Sequence, residues 1–476
     1  MADARKMLKG LLGFSIVPIT TALITIFVIP VISNVFPAEE YGKINLFYSV
    51  GALLTTLFML GLDNSFIRYY FEPPRGLSRQ SIQTMALAVG LVVTILCAAV
   101  CILFFSDPVS SYLFGEYRPW LIAMLAAYVA ASVLFRLLNI DARMSERRGR
   151  YCVQSIAQTL ITRIAFVAIA LVSTRYVYSV VAMTVGMLVL ALLFAFVQRR
   201  SFGRFESRVP HESVVILLSF GVPVMLTNFV LNLNGTAGRL ILSGAGMYDA
   251  AGVFAIATTL SNVFTVIPTA FSTWWSPFMY KNYKTERETI TKVHDLVMLG
   301  AGIIVALIIM LQNVLFSLVG GEYAACQTYF MIIMLNPIQA LICETTSYGI
   351  AIKEHPIYNA VASAIGVATS IVVTIVLMKD FGVYAAALGV AASAIVTGII
   401  RSVIGQRYYR CVASPLRTVV GSALIAIACF ANSVFCQSVG VEIVAGAAML
   451  VIFGLMYARE ARGALAAVRK HGQNGR

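Results

Sequence analysis

Few residue types in this chain could do chemistry, and the most telling of them is an arginine. Arg163 lies near the middle of Tyr151–Thr174, a stretch of membrane-spanning length with no other charge. A guanidinium held that deep in lipid costs about 2.5–3.5 kcal/mol on insertion scales. Such a cost needs a return, either an anion to bind or a carboxylate to neutralise. Ser155, Thr159 and Arg163 recur at i, i+4 and i+8, so one helical face carries all three. Arg136 stands near the end of its own apolar run, where a long side chain snorkels easily to the interface. Acids are scarcer: Glu344 lies inside an apolar run, and Asp63 and Asp141 stand at run boundaries. A membrane carboxylate can carry a proton or a sodium ion. Asp63 and Arg68 are five positions apart, about 140° around a helix, so they do not pair simply with each other.

Uncharged polar residues extend the pattern. Thr258, Ser261, Asn262 and Thr265 share one face, Asn228 and Asn232 another, and Thr21 and Thr25 a third; Asn336, Gln339, Cys343 and Ser347 line a fourth. Any single stripe can simply glue helices together. Stripes on several segments at once favour a hydrated cavity. Other chemistries lack their residues. The eight cysteines include no CxxC pair, and the four histidines show no metal-ligand spacing. No GxxxxGK[ST] loop occurs, so neither metal, disulfide nor ATP chemistry is expected.

The elements that must position these residues follow from composition. Of 476 residues, 59% are hydrophobic and 12% charged, with a mean hydropathy of +0.86. Globular domains carry about 25% charge, so this chain could not cover a water-facing surface. A cytosolic enzyme, a secreted disulfide scaffold, a nucleic-acid-binding protein and a disordered chain are all excluded. Fourteen helix-length runs, thirteen uncharged and one broken by Arg163, predict fourteen membrane spans. Their flanking charges alternate: the N-terminus, every second loop and the tail hold 28 of the 35 Lys and Arg. The intervening loops hold Lys43, Arg118, Arg175, Arg239 and Lys379. The positive-inside rule then puts both termini in the cytoplasm. The net charge of +14 reports this topology and not a nucleic-acid partner. The first apolar run is too long for a signal-peptide core and is expected to remain as an uncleaved span.

A faint repeat links the halves. Gly13-Phe14-Ser15-Ile16-Val17-Pro18 opens the first span and Ser219-Phe220-Gly221-Val222-Pro223 the seventh. The following spans start after Gly42 and Gly252 and end at aromatic clusters, with Gly42–Tyr70 and Gly252–Tyr280 both separated by 28 positions. Two parallel six-span repeats describe a transporter that alternates the exposure of a central cleft. The boundaries fall at 1–208, 209–412 and a remainder, 413–476, with two further spans and a basic tail.

Three groups of motifs carry a family resemblance. Phe36-Pro37-Ala38-Glu39-Glu40-Tyr41-Gly42 leads to Gly61-Leu62-Asp63-Asn64-Ser65-Phe66-Ile67-Arg68-Tyr69. Leu218-Ser219-Phe220-Gly221-Val222-Pro223 leads to Ala251-Gly252-Val253-Phe254 and Trp274-Trp275-Ser276-Pro277, and Phe381-Gly382-Val383-Tyr384 opens the twelfth span. Over residues 8 to 410 the chain resembles the polysaccharide transporters, the Wzx-type oligosaccharide flippases of the multidrug/oligosaccharidyl-lipid/polysaccharide exporter superfamily. The resemblance implies an all-α polytopic membrane protein, with two six-helix lobes around a cavity and two C-terminal helices. It implies a bacterial inner-membrane flippase and not an enzyme. Its substrate would be a polyprenyl-diphosphate-linked oligosaccharide, moved to the outer leaflet for O-antigen, capsule or exopolysaccharide assembly, beside glycan polymerase and export machinery. Where many relatives carry an Asp, Gly238 precedes Arg239 here. The diphosphate would meet Arg163, Arg136, Arg239 or Arg68, and the glycan Asn228, Asn232, Asn262, Thr159 and Trp274. Glu344 and Asp63 are the ion-coupling candidates, to a proton or sodium gradient, with no cofactor. A cation-coupled multidrug exporter of the same superfamily is the alternative, but it would favour acids in the cavity. A membrane glycosyltransferase or glycan polymerase is the second alternative, opposed by the short outer loops.

Overall fold

The computed structural model describes residues 20–202, 211–353, 355, 357–436, 438–460 and 462. The opening motif Gly13–Pro18, the basic residues Arg204 and Arg208, and the tail beyond 462 lie outside the described residues. The described residues are helical throughout, with no strand among them. In chain order the first elements are α1 (Thr20–Val35), α2 (Ala38–Phe58), α3 (Leu62–Arg68), α4 (Arg79–Phe104) and α5 (Ser106–Phe114). There follow α6 (Pro119–Met144), α7 (Arg148–Leu160), a π-helical turn (Ile161–Ala165), α8 (Phe166–Ile169), α9 (Tyr176–Val197), α10 (His211–Gly244) and α11 (Tyr248–Val263). The remainder comprises α12 (Val266–Asn282), α13 (Arg287–Phe316), α14 (Gln327–Thr346), α15 (Tyr348–Ile352), α16 (Ile357–Phe381), α17 (Val383–Tyr408), α18 (Pro415–Phe435) and α19 (Val439–Met456).

Twelve stretches are long and apolar enough to cross a membrane, and the bent pair α2–α3 supplies a thirteenth. The shorter apolar α1 falls in the first of the fourteen runs. The chain is a multi-pass membrane protein. Local chemistry sets the helix ends. Ser78 caps α4 by accepting a 3.1 Å hydrogen bond from the Ser81 N–H, the usual remedy for an orphaned first-turn donor. Ser414 caps α18, and Pro415 follows at a position where its missing N–H costs nothing. The second span breaks where Leu60 and Gly61 both adopt positive φ (48° and 75°), and α3 leaves α2 at 61°.

The chain divides into two compact units, Met1–Ala255 and Ile256–Arg476. In the first, α6 packs on α2, α4 and α9, while α10 packs on α2 and α3. In the second, α17 packs on α14 and α16, and the C-terminal pair α18–α19 packs on α13 and α14. Buried polar groups fix those last two helices. His294, fully buried, bonds Thr345 at 2.8 Å and Thr418 at 2.9 Å, tying α13 to α14 and α18. The Glu442 carboxylate, at 1% exposure, accepts from the Gln312 and Asn313 amides, and Gln312 and Asn432 exchange two 3.0 Å bonds. A fork of Arg417 holds Glu460 through two 3.0 Å bonds, which keeps that carboxyl below its ordinary range.

Candidate functional site

The site is built on one face of α2. Asn45, Tyr48, Ser49, Ala52, Thr55 and Thr56 fall at helical spacing along it. A cavity of about 250 Å³ opens on this face, walled by Tyr48, Thr55 and Thr56 together with Tyr128, Ser132 and Arg136 of α6, Gln158 of α7 and Asn232 of α10.

Three arginines converge here. Arg136 lines the cavity and pairs with Asp63 across 2.6 Å; Asp63 also accepts from Asn64 at 3.0 Å. The Arg163 guanidinium stands 5.7 Å from the ring centre of Tyr48, which walls the same cavity. Arg163 belongs to the π-helical turn, a local widening of the helix that often marks a functional position. Arg239 donates through Nη1 to Asn45 and, at 2.9 Å, to Ser49, and through Nη2 to the Gly235 carbonyl; its Nε is buried without a partner. Arg163 and Arg239 lie within Coulombic reach of each other. Among the described residues neither makes an ion pair with a carboxylate. Among the described residues, one of the three cations is therefore paired with a carboxylate and two are not.

Both ends of this polar face meet glycines. At one end, a Cβ on Gly42 would fall 2.1 Å from the Tyr248 carbonyl oxygen and 3.0 Å from the Gly252 nitrogen. A Cβ on Gly252 would fall 1.9 Å from the Ala38 oxygen and 3.0 Å from the Gly42 nitrogen. The contact is reciprocal: each glycine meets the carbonyl four residues before the other, a local twofold relation between α2 and α11. Beyond the other end, a Cβ on Gly61 would fall 2.0 Å from the Gly221 oxygen, and Ser65 donates to the Leu217 carbonyl at 2.6 Å. The motifs Tyr41-Gly42 and Ala251-Gly252 thus meet, as do Gly61–Ser65 and Leu217–Gly221. Lys43, beside the first contact, is 4% exposed, pairs with Glu39 at 2.7 Å and sits 5.2 Å from the ring centres of Tyr176 and Tyr248.

The sequence-derived candidates separate accordingly. Arg136, Arg163, Arg239, Asp63 and Asn232 gather around the α2 face. Arg68 does not; it is exposed at the end of α3, against the ring of Tyr69. Thr159 spends its hydroxyl on the Ser155 carbonyl at 2.9 Å and on Thr21 at 3.3 Å, a helix-to-helix tie. Asn228 is half-buried on α10, away from the cavity lining. In the second unit, Asn262 is exposed on α11, and Trp274 is 56% exposed with its ring stacked on Phe278. Glu344 on α14 accepts from Ser272 and lies within Coulombic reach of Arg401. Three placements are corrected. Arg239, Lys43 and Lys379 are not loop residues but lie inside α10, α2 and α16: Arg239 and Lys43 find side-chain partners within the helix packing, and Lys379 sits in the last turn of its helix. The α2 face itself went unread, although its spacing from Asn45 to Thr56 is the same signal that marks the other stripes.

A broken second span, a polar face inside the membrane-length helices and glycine-mediated helix crossings together describe a polytopic membrane protein. The family model described as "Polysaccharide biosynthesis protein" matches residues 7–283, and the chain belongs to that family. The fold is similar to the lipid II flippase MurJ in an inward closed conformation, at a TM-score of 0.71, with 12% identity over 94% of this chain and 99% of that one. It is also similar to an inward-facing multidrug resistance MATE family transporter of the MOP superfamily, at 0.55, with 12% identity over 86% and 99%. No curated protein sequence matches the chain.

Proposed function

We propose that this protein flips a polyprenyl-diphosphate-linked oligosaccharide from the cytoplasmic to the outer leaflet of a bacterial inner membrane, by alternating access, for surface polysaccharide assembly. One observation carries the reading: Arg136 lines a polar cavity inside the spans, Arg163 stands against its Tyr48 wall, Arg239 binds the same α2 face through Ser49, and among the described residues neither Arg163 nor Arg239 pairs with a carboxylate. A diphosphate entering lipid needs such a partner, because a guanidinium gives parallel charge-assisted bonds that offset the lost hydration. The hydroxyls and amides of Thr55, Thr56, Ser132, Asn139 and Asn232 suit a glycan, while the prenyl chain stays in lipid. A cation-exporting drug pump would instead gather acids here, and the one acid beside the cavity, Asp63, already holds Arg136. The glycine contacts at Gly42–Gly252 and Gly61–Gly221 would be the two closures that open in turn.

The test is Arg163→Ala and Arg163→Lys in cells whose surface glycan depends on this protein. Arg163→Ala should abolish surface glycan and accumulate lipid-linked sugar while protein abundance is unchanged, since removing a mid-span charge eases insertion. Arg163→Lys should keep part of the activity, a point charge without the fork. Normal abundance with normal surface glycan in Arg163→Ala overturns the reading.

A further inference from the structure

We infer that a second anion site, separate from the central cavity, binds a phosphoryl group at the end of the first unit where the α6–α7 junction meets the end of α9. A cavity of about 510 Å³ opens there, lined by Arg79, Arg147, Arg150 and Arg199. Among the described residues none of the four makes an ion pair. The single carboxylate in the lining, Asp141, is engaged by neutral donors instead: Tyr70 at 3.0 Å and Ser201 at 2.8 Å. Tyr70 in turn accepts from Arg79 at 3.1 Å. Burial and the neighbouring carboxylate raise the Tyr70 phenol, so it remains the donor in this tie. Asp141 therefore pins the segment after α9 to α6, and among the described residues it forms an ion pair with none of the four arginines.

Gln198 is the second, independent sign of a ligand. It lines the same cavity at 2% exposure, and both atoms of its amide are buried with no hydrogen-bond partner among the described residues. A buried amide left unpaired is costly, and native structures keep few of them. A bound phosphoryl oxygen would accept from its NH2, and a protonated oxygen or glycerol hydroxyl would donate to its carbonyl. Phe196 and Val197, at 69% and 52% exposure, give the cavity an apolar shoulder at the end of α9. That shoulder places the site at the level where a lipid chain begins. Two sources share the phosphoryl chemistry, an anionic phospholipid headgroup and a soluble phosphate ester. The site needs neither Arg163 nor the α2 face, so it stands or falls apart from the proposed flipping.

The experiment uses the full chain purified in neutral detergent. One arm measures retention of phosphatidylglycerol against phosphatidylcholine of the same acyl chains by native mass spectrometry. The other titrates inorganic pyrophosphate at constant ionic strength and follows Tm. Phosphatidylglycerol favoured at least ~10-fold identifies a lipid headgroup; a saturable rise in Tm with pyrophosphate identifies a soluble ester. Either effect should vanish in a triple variant, Arg147→Gln, Arg150→Gln and Arg199→Gln, and persist in Arg163→Ala. Should the triple variant not fold, Arg150→Gln alone should weaken binding about fivefold, the usual weight of one basic residue facing anionic lipid. Neither effect in the wild type, or equal effects in the wild type and a folded variant, overturns the site.

Discussion

Asp63 and Glu344 are alike as sequence features, yet their surroundings separate them. Asp63 is 3% exposed and already bound by the Arg136 guanidinium at 2.6 Å, with Asn64 on its other oxygen. Asp63 thereby ties α3 to α6. Glu344 makes no ion pair among the described residues and has the Ser272 hydroxyl and the charge of Arg401 within reach. Replacing Glu344 by Gln should weaken the dependence of transport on an ion gradient while leaving substrate binding measurable. Asp63→Asn should do the reverse, lowering stability by about 1–2 kcal/mol with ion dependence intact. That loss stays below the ~3–5 kcal/mol of a fully buried pair because the Arg136 side chain is 40% exposed. Flippase assays in proteoliposomes with imposed proton or sodium gradients separate the two; unchanged ion dependence in Glu344→Gln removes that residue from coupling. The sequence could pick out both acids and Arg163, because a charge in an apolar run is visible without a fold. It could not show that Asp63 faces Arg136, 73 positions away, since only helix packing brings such residues together.

At the scale of helices, the glycines explain why the motifs lie where they do. Gly42 and Gly252 sit opposite each other at the starts of α2 and α11, and no side chain fits at either. Close backbone approach at small residues is a common way for membrane helices to cross. Such a contact also parts at small cost, because it holds few interlocked side chains. That makes it suited to a closure that must open and reseal. The equal 28-residue spacings made the correspondence of Gly42 with Gly252 legible in the sequence; their direct contact was not. The repeat is also imperfect in a way only the structure reveals. α2 ends at Phe58 with positive φ at Leu60 and Gly61, whereas α11 ends nearer its glycine, at Val263. Gly42→Ala would force the helices apart. Overpacking costs about 1–3 kcal/mol, against which alanine's better helix propensity returns up to ~1 kcal/mol, so the variant should fold. Its closure should fail. A cysteine at Ser49 should react faster with an impermeant thiol reagent in the Gly42→Ala background than in the wild type, and transport should fall. Equal reactivity with normal transport would show that the contact is not a closure.

At the scale of the whole molecule, the topology follows from charge. Basic residues cluster in alternate connections, and one such connection and its neighbour offer a direct test. The α6–α7 junction, from the last turn of α6 to the first turn of α7, carries Arg143, Arg147, Arg148 and Arg150, while the α8–α9 connection carries Arg175 alone. The span between them is α7, the π-helical turn and α8, so these connections lie on opposite sides of the membrane. The positive-inside rule would put the first of them in the cytoplasm. Gly149 has no atom within 4 Å of where its Cβ would stand, so a cysteine there disturbs nothing. Ser173, beside the exposed Leu171 and Val172, offers the matching position on the other side. With Cys97, Cys101 and Cys152 replaced, the remaining native thiols are buried. In intact spheroplasts Ser173→Cys should be labelled by an impermeant maleimide and Gly149→Cys should not, and permeabilisation should make both reactive. The reverse pattern would invert the topology. It would also turn the proposed direction of flipping around, since the arginine-rich connections would then face the outer leaflet.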